Sequence, residues 1–179
     1  MKTVKKHVQD SEVIKTEMVL PNDTNTLNNL MGGKLMHWMD VVAAISAQRH
    51  SNSIVVTASV DNISFKNPIA LGNVVTLKAQ VTRAFSTSME VFIEVVAEDI
   101  PANSKYATHK AFFTFVAVDD KGRPVKVPPL EPTTKREKEL YAGALRRRQL
   151  RLILANRMDP QDATELKSLF DLEGVSQKQ

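Results

Sequence analysis

A chain of 179 residues is long enough for one well-buried domain with a tail and short for two ordinary domains. It contains no Cys, which removes disulfides, thiolate nucleophiles and Cys-based zinc sites together and fits a reducing compartment. The net charge of +4 is local: residues 135–151 carry seven Lys/Arg against two Glu, the remainder stands at −1, and a nucleic-acid-binding surface on the body is thereby disfavoured.

The start, MKTVKKHVQD, is positively charged but has no apolar core of signal-peptide length, and no stretch approaches ~18 uninterrupted apolar residues. A cytoplasmic protein without membrane insertion is expected. Residues 12–20, EVIKTEMVL, alternate loosely and predict a first strand, closed by Pro21 and the loop PNDTN. A helix then runs from about Lys34 to His50, with Leu35, Trp38, Met39, Val42 and Ile45 at helical spacing. Met36, Ala43, Ala44 and Ala47 make its other face small and apolar, which predicts a helix covered on most sides. Asp40 in its middle then needs a partner, because an unpartnered buried charge is very costly. A structural ion pair and a catalytic carboxylate both satisfy that need.

From Ser53 to Phe65 the chain is β-rich, until Asn67-Pro68 breaks it. Val75, Leu77, Ala79 and Val81 alternate with Thr76, Lys78, Gln80 and Thr82, the pattern of a strand with one face covered. Met89–Glu98 repeats it, with a hairpin over Phe85–Ser88. Lys105–Val118 contains AFFTFVAV, apolar on both faces, and belongs in the middle of a sheet. Asp119–Gly122 reads as a turn, after which PVKVPPLEP leaves the body as an extended Pro-rich segment. Residues 133–155 predict a basic amphipathic helix whose charges read as a solvated face or a packing arm, and a shorter helix runs from Pro160 to Leu172. The predicted organisation is a domain over 8–130 and an exit segment with a basic helical tail over 131–179.

The chain lacks Gly-x-Ser-x-Gly, a phosphate-cradling loop and a dinucleotide fingerprint. Its four His are scattered, with no metal-ligand spacing. Hydrolysis without a nucleophile triad or a metal is water attack helped by a general base, and Asp40 is the residue whose context favours that part. Asn25 lies fifteen residues earlier, and Gly32-Gly33 stands where the free N–H groups of a helix start can face an oxyanion.

Asn25, Gly32-Gly33 and Met39-Asp40 at these spacings, then VVTASVDNISFKNPIALGNVV (55–75), STSMEV (86–91) and FFTFVAVDDKGRPVKVPP (112–129), resemble in order the acyl-CoA thioesterase branch of the hotdog-fold superfamily. The resemblance covers roughly residues 10–130. Two positions depart from it: Asn28 stands where the family often has Gly, and Met31 where it often has His. The resemblance implies an α+β fold, a curved antiparallel sheet wrapped around one long central helix. It implies hydrolysis of acyl-CoA to fatty acid and CoA, with Asp40 as base and Asn25, Gly32 and Gly33 polarising the carbonyl, or else an acyl-CoA-binding module without turnover. CoA enters as part of the substrate, with no other cofactor, against Ser86, Thr87, Ser88, Arg83 and Lys110. The family further implies dimers, assembled as a trimer of dimers, with Asn25 of one chain serving Asp40 of the other.

Overall fold

The computed structural model describes residues 5–61, 63 and 67–171. Contacts divide the chain into two compact units, one ending at Glu131 and one starting at Pro132.

The first unit opens with a two-residue strand β1 (Lys6–His7) and a 3₁₀ turn, followed by β2 (Val13–Met18). The loop after β2 leads into the helix α1 (Gly32–Ser51), then β3 (Ile54–Val60), β4 (Val74–Ala84), β5 (Ser88–Asp99), β6 (Ser104–Val118) and the short β7 (Leu130–Glu131). Five strands form one antiparallel sheet in the order β2-β4-β5-β6-β3. This is the curved sheet around a long helix implied by the hotdog resemblance. Register shifts at Thr57/Ser59, Val81/Arg83 and Val95/Val96 mark bulges, which bend a strand and increase its twist. β6 is an interior strand as predicted, but the centre of the sheet is β5. The strand predicted to reach Phe65 ends at Val60, and residues 62 and 64–66 lie outside the described residues.

The core lies between α1 and the inner face of the sheet. Leu77, Ala79, Val81, Val91, Ile93, Val95, Phe113 and Phe115 are almost fully buried, as are Leu35, Met39, Val42, Ala43 and Ala47 of the helix. Ala43 and Ala47 stand one turn apart on the covered stripe, where a short side chain lets the helix backbone come close to the sheet. The expectation of a helix covered on most sides fails within one chain. Ile45 is 39 % exposed, and Asp40, Val41 and Ala44 are half-buried, so one flank of α1 is open beside the edge strand β3. The helix also starts two residues before the predicted Lys34, because Met31 in extended backbone is its N-cap and the glycines form its first turn.

The Pro-rich segment stays on the body instead of leaving it at Pro124. Val125 N–H donates to Ala117 O and Val127 N–H to Ser86 O, and the side chains of Val127 and Leu130 are buried. Prolines lack an N–H for a ladder but keep their carbonyls. Pro129 O accepts from Lys6 N–H, Pro128 O accepts from His50 Nε2, and β7 pairs with β1 in parallel. His7 is therefore in a paired strand.

The second unit contains α2 (Lys135–Leu154) and α3 (Thr164–Asp171), joined through a 3₁₀ turn at Pro160–Asp162. Thr134 caps α2 by accepting from Glu137 N–H, while the Glu137 carboxylate accepts from Thr134 and Thr133 N–H, a reciprocal capping box. Gln149 Oε1 accepts from Leu166 N–H and ties the two helices. Leu172 lies outside the described residues.

Candidate active site

Asn25 sits in the loop between β2 and α1, and its side chain is oriented by that loop. Its Oδ1 accepts from Leu27 N–H and Asn29 N–H, while its own N–H donates to Asn29 O. Backbone N–H groups can satisfy only the oxygen of the amide, so the orientation is unambiguous and Nδ2–H₂ is left as a donor on the diverging side. Asn28 closes this turn at φ 55°, in the left-handed region. Asn tolerates that conformation better than most residues, which accounts for its standing in for the usual Gly.

The loop is clamped to the helix start by Asp23. Its backbone carbonyl accepts from Met31 N–H, and its carboxylate takes Leu20 N–H at 3.1 Å and Lys34 Nζ at 3.0 Å. The Lys34 contact holds the Asp23 carboxyl below the usual carboxylate range. Lys34 also lies 5.7 Å from the centre of the Trp38 ring, a cation–π distance. The first helical hydrogen bond here is Leu35 N–H to Met31 O, so the N–H groups of Gly32, Gly33 and Lys34 precede the ladder and face outward from the helix start. A Cβ at Gly33 would meet nothing within 4 Å, which leaves the backbone open to a ligand.

A cavity of about 350 Å³ opens beside this helix start, with Asn25, Gly32, Leu30, Leu35, Ile69 and His109 on its walls. Leu30 and Ile69 are bound to each other by Leu30 N–H to Ile69 O. By sequence, His109 counts among four scattered His and is given no part in the site. Unbroken alternation along β6 puts it in phase with Ala111, Phe113 and Phe115 on the inner face, where it is 5 % exposed, and the bulge at Val95/Val96 falls just beyond it. That phase could have been read only from the alternation leading back from Phe113.

Asp40 does not line that cavity. It lies eight residues after Gly32, roughly 12 Å along the helix axis. Its Oδ1 accepts from Thr57 Oγ1 at 2.8 Å, so one carboxylate oxygen is held by β3. Thr57 is a residue that sequence reasoning missed; it stands at the bulge of the edge strand, and no local motif marks it. One chain thus holds the amide and the carboxylate in separate places, with Asp40 on the open flank of α1.

The residues expected at CoA are divided. Arg83 lies near the end of β4, with its guanidinium 5.7 Å from the Phe85 ring centre. Ser86 is exposed, Thr87 half-buried and Ser88 buried, so the side chain of Ser88 is withdrawn from the surface. The carbonyls of all three accept backbone N–H groups, from Val127, Ala117 and Phe85 respectively, which fixes the turn. Lys110 is not beside them. It pairs with Glu94 at 3.5 Å, six positions along β6 from Val116, the partner of Ser88, or roughly 20 Å at strand rise. Among the described residues, no group of three His, Cys, Asp or Glu could hold a metal ion.

Comparison with known proteins places this geometry in a family. The Thioesterase superfamily model matches residues 27–102. A Bacillus subtilis protein called uncharacterized acyl-CoA thioester hydrolase YkhA is 42% identical over 139 residues, covering 78% of this chain and 81% of the relative. A crystal structure of an apo-hexameric acyl-CoA thioesterase superposes with a TM-score of 0.82 at 40% identity, over 84% of this chain and 97% of that one. An acyl-CoA hydrolase from Staphylococcus aureus, solved with butyryl-CoA, CoA and CoA disulfide, gives a TM-score of 0.74 at 33% identity, over 97% of this chain and 100% of that one. The same hydrolase has been solved with a single Asn, Asp or Thr replaced by Ala, at positions fifteen and then seventeen apart. Asn25, Asp40 and Thr57 have that spacing. The chain belongs to the acyl-CoA thioester hydrolases of the thioesterase superfamily.

Proposed function

We propose that the protein hydrolyses acyl-CoA thioesters to a carboxylic acid and CoA by direct attack of water, in a site shared by two chains. The observation that carries the mechanism is the pair of oriented groups: an Asn25 amide whose oxygen is occupied, leaving its NH₂ to donate, and an Asp40 carboxylate with one oxygen fixed by Thr57. The free Asp40 oxygen takes a proton from water as the water oxygen bonds to the thioester carbon. Negative charge then develops on the carbonyl oxygen, where Asn25 Nδ2 and the N–H groups of Gly32 and Gly33 stabilise it. The C–S bond breaks, CoA leaves as the thiolate, and the proton held on Asp40 is available to it.

Two features support a shared site. The cavity beside Asn25 excludes the Asp40 of its own chain, and Asp40 faces the flank of α1 that one chain leaves open. The neighbouring edge strand β3 exposes Ile54, Val56 and Val60 at 51 %, 48 % and 38 %, a hydrophobic edge suited to pairing with a second copy. Assembly as a trimer of dimers is supported by the hexameric relative. Arg83, Ser86 and Thr87 form the CoA-facing turn, with Ser88 shaping it from beneath and Lys110 reaching CoA only from another copy. Absence of Cys and of any helix long and apolar enough to cross a membrane, among the described residues, supports a cytoplasmic setting.

Thiol release from a panel of acyl-CoAs tests the reading. Release above the uncatalysed rate is expected. Binding of acyl-CoA without release would make the domain a non-catalytic binding module.

A further inference from the structure

The turn that aims the Asn25 amide is backed by a second segment, residues 67–73. Leu30 N–H donates to Ile69 O at 2.7 Å, Leu71 N–H donates to Asn28 O at 2.9 Å, and Asn29 forms an antiparallel bridge with Ala70. Asn28 and Asn29 belong to the Asn25 turn itself, since Asn28 N–H donates to Asn25 O and Asn29 N–H to Asn25 Oδ1. A shift of 67–73 is therefore passed on to the amide.

Two anchors hold that segment. At one end Gly72 N–H donates to Val19 O and Val19 N–H to Asn73 O, which ties the turn to the residue after β2. Gly72, third of the turn residues 70–73, has φ 83°, the left-handed value that a type II turn asks for and Gly adopts without strain. At the other end Pro68 has no N–H to give, so its carbonyl is its one main-chain hydrogen-bonding group. Tyr106 of β6 donates its hydroxyl to Pro68 O at 3.3 Å and to Asn73 Oδ1 at 3.2 Å. Asn73 is 5 % exposed and its Oδ1 also accepts from Ala70 N–H, so one phenol hydroxyl is shared between both ends of the segment.

Resting on the reading of Asn25 as a donor to the thioester oxygen, we infer that Tyr106 is a positioning residue for hydrolysis: its hydroxyl braces residues 67–73, and these hold the Asn25 amide where charge develops on that oxygen. Stabilisation of this kind depends on a donor already in place, so a looser support behind the amide lowers the rate without removing the amide. Pro68 and Ile69 line the cavity beside Asn25, whereas Tyr106 does not. Loss of its oxygen thus alters the support and leaves the residues that line the cavity in place.

The test is thiol release from the acyl-CoA that the wild type hydrolyses fastest, measured for the wild type, Tyr106→Phe, Asn25→Ala and the double variant. Tyr106 is half-buried, and Phe keeps its ring while removing the hydroxyl. Tyr106→Phe is expected to lower kcat about tenfold, short of the roughly 10²-fold that a misplacement of about 1 Å can cost, with KM within about twofold. In the Asn25→Ala background the same substitution should bring no further loss, because the group it positions is gone. A merely structural role would lower activity by the same factor in both backgrounds. That result, or an unchanged kcat in folded Tyr106→Phe, overturns the inference while the thioesterase reading stands. Full activity in Asn25→Ala, or hydrolysis of no acyl-CoA by the wild type, overturns the reading beneath it and the inference together.

Discussion

At the scale of single residues, the proposed site rests on two side chains, Asn25 and Asp40, whose orientation is fixed by their neighbours. Asp40→Asn keeps the shape and the Thr57 contact but cannot take a proton from water; kcat is expected to fall about 10²–10⁴-fold with the circular dichroism spectrum unchanged. Asn25→Ala is expected to lower kcat by about 10²–10³-fold, because the amide acts on charge that develops only in the transition state. It should raise KM much less, and steady-state kinetics against one acyl-CoA separate the two. Thr57→Val removes the hydroxyl that holds the Asp40 carboxylate and is expected to lower kcat by more than it changes KM. Asn25 and Asp40 stood out as candidates in the sequence because a family pattern joins them at short range across a recognisable loop and helix. Thr57 did not, because its place opposite Asp40 follows from the return of the chain as an edge strand and from the bulge there. His109 was passed over although alternation leading back from Phe113 gives its inward direction.

Elements were more legible than their boundaries. Alternation identified β4 and β5 to within one or two residues, since a covered face imposes period two over a long run. The helix and its buried stripe at Leu35, Trp38, Met39 and Val42 were found but its cover was overestimated, because apolar residues on α1 include Ile45 and others on the open flank beside β3. Met39, fully buried on the correct stripe, is a test of that packing: Met39→Ala is expected to cost about 2–5 kcal/mol in denaturant unfolding. The Pro-rich strap was misplaced because its hold comes from carbonyls and from His50, which a sequence pattern does not show. His50 is fully buried, donates from Nε2 to Pro128 O, and among the described residues has no hydrogen-bond partner at Nδ1. Burial lowers its affinity for a second proton, as it does for His109. The unfolded chain, with imidazoles near the ordinary value of about 6.5, therefore binds more protons than the folded one as pH falls. The stabilisation from the neutral rings is present above about pH 6.5 and is lost below it, by at most about 1.4 kcal/mol per pH unit for each ring. Urea unfolding between pH 7.5 and 5.5 should show this fall, and His50→Gln, which keeps a donor for Pro128 O, should reduce its slope.

At the scale of the molecule, two compact units differ in kind: the first contains the sheet, the helix and every residue assigned to the site, and the second is a basic helical pair. Removal of residues 132–179 is expected to leave a folded protein that hydrolyses acyl-CoA, as measured by thiol release. By sequence the boundary falls at the Pro-rich segment, with the charge excess beyond it, whereas the number of chains that build one site comes only from the family resemblance. That is the central claim: Asn25 of one chain and Asp40 of its partner serve the same thioester. Chains carrying Asn25→Ala and chains carrying Asp40→Ala are each expected to be inactive alone. Their heterodimer has one site with both lesions and one with neither. Co-expression with two affinity tags, purification of the heterodimer and measurement of thiol release should return activity approaching half the wild-type value per dimer. Heterodimers that are folded and associated yet as inactive as either parent would place both residues in a site within one chain and contradict the account.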